Sequence, residues 1–129
     1  MAEELQKILY VEDEPDIAEV AKLALETVGG FTVEVCSNGI DALARAPTYQ
    51  PQLIMLDVMM PDMDGPTTLQ ELRKNPAMDK VPILFMTAKV QPNEVADYKK
   101  LGAVDVIPKP FDPMKLAEQV REIWSREQG

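Results

Sequence analysis

Histidine is absent from the 129-residue chain. That excludes Ser–His–Asp triads, imidazole-based metal sites and any histidine phosphodonor within the chain itself. Cysteine occurs once, at Cys36, so neither an intramolecular disulfide nor a cysteine-built metal cage can form. Cys36 reads as an edge-strand packing residue without a redox role. No apolar run approaches bilayer length, and residues 1–7 (MAEELQK) are not a signal peptide, which makes the cytoplasm the default compartment. Basic residues are scarce: 13 against 22 acidic ones, a net charge of −9. The imbalance is local, since residues 1–64 hold 13 acidic and 3 basic side chains and residues 65–129 hold 9 and 10. Duplex nucleic acid and anionic membrane are disfavoured as partners. A cation or a basic partner surface is favoured, and solubility accounts for the same charge more simply.

What is present suits one soluble domain over residues 1–129. The chain is 46% hydrophobic and 27% charged, ordinary values for a globular fold. Lys7–Val11 is a short apolar run that reads as a strand, punctuated by Glu12-Asp13-Glu14-Pro15. Ile17, Val20, Ala21, Ala24 and Val28 then recur at helical spacing up to Gly29-Gly30. Phe31–Cys36 alternates, as an edge strand does. Asn38 can cap a helix through Ile40, Leu43 and Ala44 that stops at Pro47. Gln52–Asp57 is apolar without alternation and ends on a carboxylate, the pattern of a strand buried on both faces. Met59–Gly65 is a loop rich in turn formers, and Pro66–Asn75 is a helix. Val81–Thr87 is a second buried strand. Gln91–Leu101 is a helix with a thin apolar stripe of Val95, Tyr98 and Leu101. Val104–Ile107 is the last strand, and Asp112–Arg126 the best-patterned helix. Five βα units predict an α/β doubly wound (βα)5 architecture, flavodoxin-like, with a parallel five-stranded sheet in the order 2-1-3-4-5.

In such sheets the site lies beyond the carboxyl ends of the strands. Strand 1 ends in Glu12-Asp13, strand 3 in Asp57 and strand 4 in Thr87, and Lys109-Pro110 follows strand 5. Each has an ordinary reading by itself: Asp57 a turn residue, Glu12-Asp13 helix caps, Thr87 a strand residue, Lys109 a surface charge. Together they bring three carboxylates onto adjacent strands about 4.8 Å apart. Unpaired, the carboxylates repel and at least one stays protonated. Hard oxygen ligands suit Mg²⁺, and a metal, a carboxylate nucleophile, a hydroxyl and a lysine are the parts needed to accept a phosphoryl group.

These residues carry a resemblance. Glu12-Asp13, the stretch Asp57-Val58-Met59-Met60-Pro61-Asp62-Met63-Asp64-Gly65, Thr87-Ala88 and Lys109-Pro110-Phe111 make the chain similar to the receiver domains of two-component response regulators, over about residues 6–126. The resemblance implies Asp57 as phosphoacceptor. It implies Mg²⁺ (or Mn²⁺) held by Asp13, Asp57 and the backbone carbonyl of Met59, with Glu12 helping through water. Lys109 would bridge to a phosphoryl oxygen and Thr87 would turn its hydroxyl toward the phosphate. The Lys109–Pro110 bond is cis in this family. The implied partners are a histidine kinase or histidine phosphotransfer protein and a downstream protein target, with no direct nucleic-acid or membrane contact. The implied behaviour is that of a self-phosphorylating and self-dephosphorylating switch rather than a turnover enzyme.

Some positions depart from the family pattern. Val106 stands three residues before Lys109, where relatives more often have Tyr or Phe. Valine cannot report by swinging inward, so Val106 is expected only to pack. Lys89, two beyond Thr87, is expected to be solvated. The helix at 91–101 buries little apolar area and is the easiest element to shift. With strand 104–107 and helix 112–126 it forms the face relatives use for partners, and seven of the 13 basic residues lie between Lys89 and Arg126. With the chain ending at Gly129, the expectation is a stand-alone receiver or a domain of a longer protein. Three readings compete with the switch. A phosphatase of the haloacid dehalogenase type needs Asp-x-Asp-x-Thr, and residue 59 is Met. A flavodoxin needs a Ser/Thr/Gly phosphate loop where Glu12-Asp13-Glu14 stand. A receiver could also bind partners without being phosphorylated.

Overall fold

In the computed structural model, residues 4–128 are described. Of the domain expected over 1–129, residues 1–3 and 129 lie outside that range. Five βα units follow one another: β1 (Lys7–Val11), α1 (Pro15–Thr27), β2 (Thr32–Cys36), α2 (Gly39–Tyr49), β3 (Leu53–Asp57), α3 (Gly65–Arg73), β4 (Ile83–Thr87), α4 (Pro92–Leu101), β5 (Asp105–Pro108) and α5 (Leu116–Gln128). The strands are all parallel, in the order β2-β1-β3-β4-β5. This is the flavodoxin-like order expected from strict strand–helix alternation.

Alternation along the central strands builds two cores. Ile8 and Tyr10, Leu53 and Met55, Leu84 and Met86 point to one face, where α1 and α5 pack. Leu9 and Val11, Ile54 and Leu56, Ile83 and Phe85 point to the other, against α2 and α3. β1, β3 and β4 each have helices on both sides, which is why Ile8–Val11, Leu53–Leu56 and Ile83–Met86 run without charged residues. β2 is the edge: Val33 is buried while Thr32 is exposed.

The structure corrects the phase of α1. Its buried residues are Ala18, Ala21, Ala24 and Leu25, whereas Val20 and Val28 are 45% and 48% exposed. A helix squeezed between a sheet face and α5 uses small side chains to come close: of the expected stripe Ala21 and Ala24 are buried, and Val20 and Val28 are not. α2 also differs: it runs through Pro47 to Tyr49. Pro47 lacks only its own N–H, and the Gln50 amide still closes the last turn on the Ala46 carbonyl. Asn38 caps α2 as expected, accepting from the Asp41 amide. α5 buries Leu116, Ala117, Val120, Ile123 and Trp124, the residues its pattern predicts. α4 buries none.

Candidate functional site

The site forms where β1, β3 and β4 end. Glu12 extends β1 by one further sheet bond, its amide donating to the Cys36 carbonyl at 3.0 Å. Asp57 is the last residue of β3, and the next amide, Val58, donates to Met86 of β4. The Lys109 amide donates to the Thr87 carbonyl at 2.9 Å, and the Lys109–Pro110 peptide is cis. All four side chains thus stand on backbone held by the sheet. Gly65 makes room behind Asp57: a Cβ there would lie 2.7 Å from the Asp57 carbonyl oxygen and 2.9 Å from Val58 Cα. Only glycine lets the start of α3 approach β3 this closely.

Glu12, Asp57 and Thr87 are buried. One carboxylate oxygen each from Glu12, Asp13 and Asp57 lie within 4.8 Å of one another. Lys109 Nζ sits 3.0 Å from Glu12 Oε1 and 3.3 Å from Asp57 Oδ1. The Glu12 carboxylate also accepts from the Tyr10 hydroxyl at 3.0 Å and the Glu14 amide at 3.3 Å. Glu12 and Asp13 do not cap α1. Its N-cap is Glu14, without a side-chain cap bond. Thr87 Oγ1 accepts from the Lys89 amide at 3.1 Å. Lys89 itself is exposed, as expected. The Met59 side chain is exposed, and with Glu14, Asp57, Thr87, Ala88 and Lys109 it lines a cavity of about 130 Å³.

One cation for three carboxylates leaves the protons unevenly shared. Burial, then the hydrogen bond and charge of Glu12, push the Asp57 carboxyl up to about 7. Burial acts against Glu12 as well. Its bonds to Asp57, Lys109 and Tyr10 outweigh this, and its carboxyl is held below the ordinary value. Glu12 therefore keeps the charge and Asp57 the proton when the two must share. Burial disfavours the Lys109 ammonium, but Glu12 and Asp57 more than compensate and its pKa is raised.

The residues fit a small divalent cation. Asp13 Oδ1 is buried without a hydrogen-bond partner, a costly state for a carboxylate oxygen unless a ligand meets it. Three hard oxygens in one corner are the donor set that Mg²⁺ or Mn²⁺ takes.

The family profile described as the response regulator receiver domain matches residues 8–121. The chain belongs to the response-regulator receiver family. It is 34% identical over 129 residues to response regulator Rre1 of Synechocystis sp., covering 100% of this chain and 55% of that protein. Against the alkaline phosphatase synthesis transcriptional regulatory protein PhoP of Bacillus subtilis it is 39% identical over 121 residues, 94% of this chain and 49% of that one. The chain thus spans about half the length of these curated relatives. Among solved structures, the chemotaxis response regulator CheY4 of Vibrio cholerae superposes with a TM-score of 0.85 at 29% identity, over 92% of this chain and 98% of that one. The signal receiver domain of a histidine kinase from Syntrophus aciditrophicus gives 0.80 at 35% identity, over 94% and 91%.

Within this receiver domain Val106 is half-buried and pairs with Phe85 across β4 and β5. The aromatic neighbour of Phe85 is Tyr98 of α4, whose ring meets it edge-on at 5.3 Å. Asp105 sits between Lys99 at 4.0 Å and Arg126 at 2.5 Å, so part of the basic charge expected on this face is neutralised within the fold. Two contributors have no site role assigned from the sequence. Gly65 had no assigned role, and Tyr10 passed as one more apolar strand residue. The period of two was a usable signal for Tyr10, since residues 10 and 12 fall on the same side of β1.

Proposed function

We propose that this receiver domain is the phosphoacceptor switch of a two-component phosphorelay, with Asp57 as the acceptor. The observation that carries the reading is the convergence of the Glu12, Asp13 and Asp57 oxygens within 4.8 Å, with the Lys109 ammonium at 3.0 and 3.3 Å from two of them. A histidine kinase or histidine phosphotransfer protein presents a phosphohistidine. An Asp57 carboxylate oxygen attacks phosphorus, the P–N bond breaks, and the imidazole leaves with the electron pair and takes up a proton from solvent. Mg²⁺, or Mn²⁺ in its place, supplies the positive charge that opposes the negative charge spread over the phosphoryl oxygens. Asp13, Asp57 and the Met59 carbonyl would hold it, with Glu12 assisting.

Lys109 moves from sharing Glu12 and Asp57 to pairing with a phosphoryl oxygen. Thr87, whose hydroxyl now accepts from the Lys89 amide, turns it toward the phosphate. The resulting mixed anhydride shifts the balance between two arrangements of the α4–β5–α5 face, and a downstream protein reads that face. The net charge of −9 favours protein contacts over nucleic acid or anionic membrane for this stretch. Among the described residues no helix is long and apolar enough to cross a membrane, and the cytoplasm is the compartment we assign.

The test is incubation with Mg²⁺ and acetyl phosphate, read by intact mass, for the parent and Asp57→Asn. The parent gains one phosphoryl group and the variant gains none. An adduct on the variant at the parental level refutes Asp57 as acceptor. No adduct on the parent makes the domain a binding-only receiver.

A further inference from the structure

Tyr10 is the largest fully buried side chain of the domain, lying among the hydrocarbon side chains of the α1/α5 core. A leucine or phenylalanine would fill that space without bringing in a hydroxyl that needs a partner. Tyr10 brings one, and donates it to Glu12 Oε1 at 3.0 Å. The same oxygen accepts from Lys109 at 3.0 Å, and Oε2 meets the Glu14 amide at 3.3 Å. These three donors are not equivalent. Lys109 is shared with Asp57 at 3.3 Å and must change partners when a phosphoryl group arrives. The Glu14 contact is long. Tyr10 alone is anchored in an interior strand of the sheet, two residues before the carboxylate it holds.

We infer that Tyr10 is a positioning residue for the cation site: its hydroxyl fixes the Glu12 carboxylate beside Asp13 and Asp57 independently of where Lys109 points. The inference rests on the reading that these carboxylates hold a divalent cation. Outer partners that orient a ligand carboxylate commonly change metal affinity by about 10–100-fold when removed. Here Glu12 acts at one remove and keeps two other donors, so the low end applies.

The test is direct Mn²⁺ binding, followed by the electron paramagnetic resonance of free Mn²⁺, alongside metal-free thermal unfolding. Tyr10→Phe keeps the ring and deletes the donor. It raises the Mn²⁺ dissociation constant about tenfold, and Tyr10→Met, which repacks the space without a hydroxyl, raises it equally. In a Glu12→Ala background Tyr10→Phe changes the constant less than about twofold, because the group it orients is gone. A merely structural tyrosine moves the melting temperature and leaves the Mn²⁺ constant within about twofold of the parent. That result overturns the inference, as does an undiminished effect after Glu12→Ala. Should the parent itself take up no Mn²⁺, the cation reading falls and the role of Tyr10 with it. If the parent binds Mn²⁺ and Tyr10→Phe binds it equally, only the role of Tyr10 falls.

Discussion

Replacing Asp57 with asparagine should stabilise the metal-free domain, although it removes the proposed acceptor. At an effective dielectric of about 20, like charges about 4.8 Å apart repel by about 3.5 kcal/mol. Asp57 has two such partners, since the Glu12 and Asp13 oxygens lie within 4.8 Å of its own. Against them stands one attraction, from Lys109 at 3.3 Å, of about 5 kcal/mol on the same scale. The balance disfavours ionised Asp57 by about 2 kcal/mol, the same direction as a carboxyl pushed up to about 7. In Asp57→Asn the isosteric amide keeps the packing and drops the charge. The gain of about 2 kcal/mol corresponds to a melting temperature higher by about 8 °C for a domain of this size.

The pH dependence fixes the sign. A folded pKa of about 7 lies above the ordinary 3.8, so the contribution of Asp57 to stability is full below about pH 4 and is lost as pH rises through 7. The variant escapes that loss, and its advantage opens between those limits. Scanning calorimetry in EDTA should find the gap small at about pH 4 and full at about pH 8. Millimolar Mg²⁺ should then close it by stabilising the parent alone. A variant less stable than the parent in EDTA at about pH 8, or a gap independent of pH, refutes the electrostatic argument.

Gly65→Ala drives a methyl against the Asp57 carbonyl at 2.7 Å. Urea unfolding should show a loss of about 1–3 kcal/mol, and the initial rate of acetyl-phosphate labelling should fall with it as the end of β3 is displaced. Burial, then the Glu34 carboxylate, push the Cys36 thiol up to about 11. At about pH 8 roughly one thiol in a thousand is ionised, so reaction with a disulfide reagent should be slow in the native protein and accelerate sharply in denaturant. Val106→Ala should cost about 1–2 kcal/mol by calorimetry and leave discrimination between partners unchanged. A large change in discrimination with little loss of stability would give Val106 a signalling role.

The sheet order was legible because its cause is in the sequence. Three unbroken apolar strands and one alternating strand admit few arrangements once every crossover is right-handed. The site was legible for the same reason: strand-end residues converge wherever their strands are neighbours, and Glu12, Asp13, Asp57, Thr87 and Lys109 all end or follow a strand. Helix faces were less so. In α5 the apolar residues form one stripe, and the buried set follows from it. In α1 apolar residues occupy more than half the circumference, so the stripe includes the buried Ala21 and Ala24 but also the exposed Val20 and Val28, and it leaves out Ala18 and Leu25. Pro47 read as a stop because its lost bond is local, while the bond that completes the turn comes from Gln50. Tyr10 was invisible as a polar group because its ring satisfies the apolar pattern of β1, and only the position of its oxygen distinguishes it.

The attachment of α4 has a consequence for how such a domain is sensed. This helix buries no side chain completely; the Tyr98 ring sits edge-on against Phe85, and Lys99 lies 4.0 Å from Asp105. The edge-on geometry of such a pair is worth about 1 kcal/mol beyond the area it buries. Shifting α4 therefore disturbs less buried packing than shifting a helix with a buried stripe such as α5. On the switch reading proposed above, a partner docking on this face would meet the part of the domain that is least costly to move.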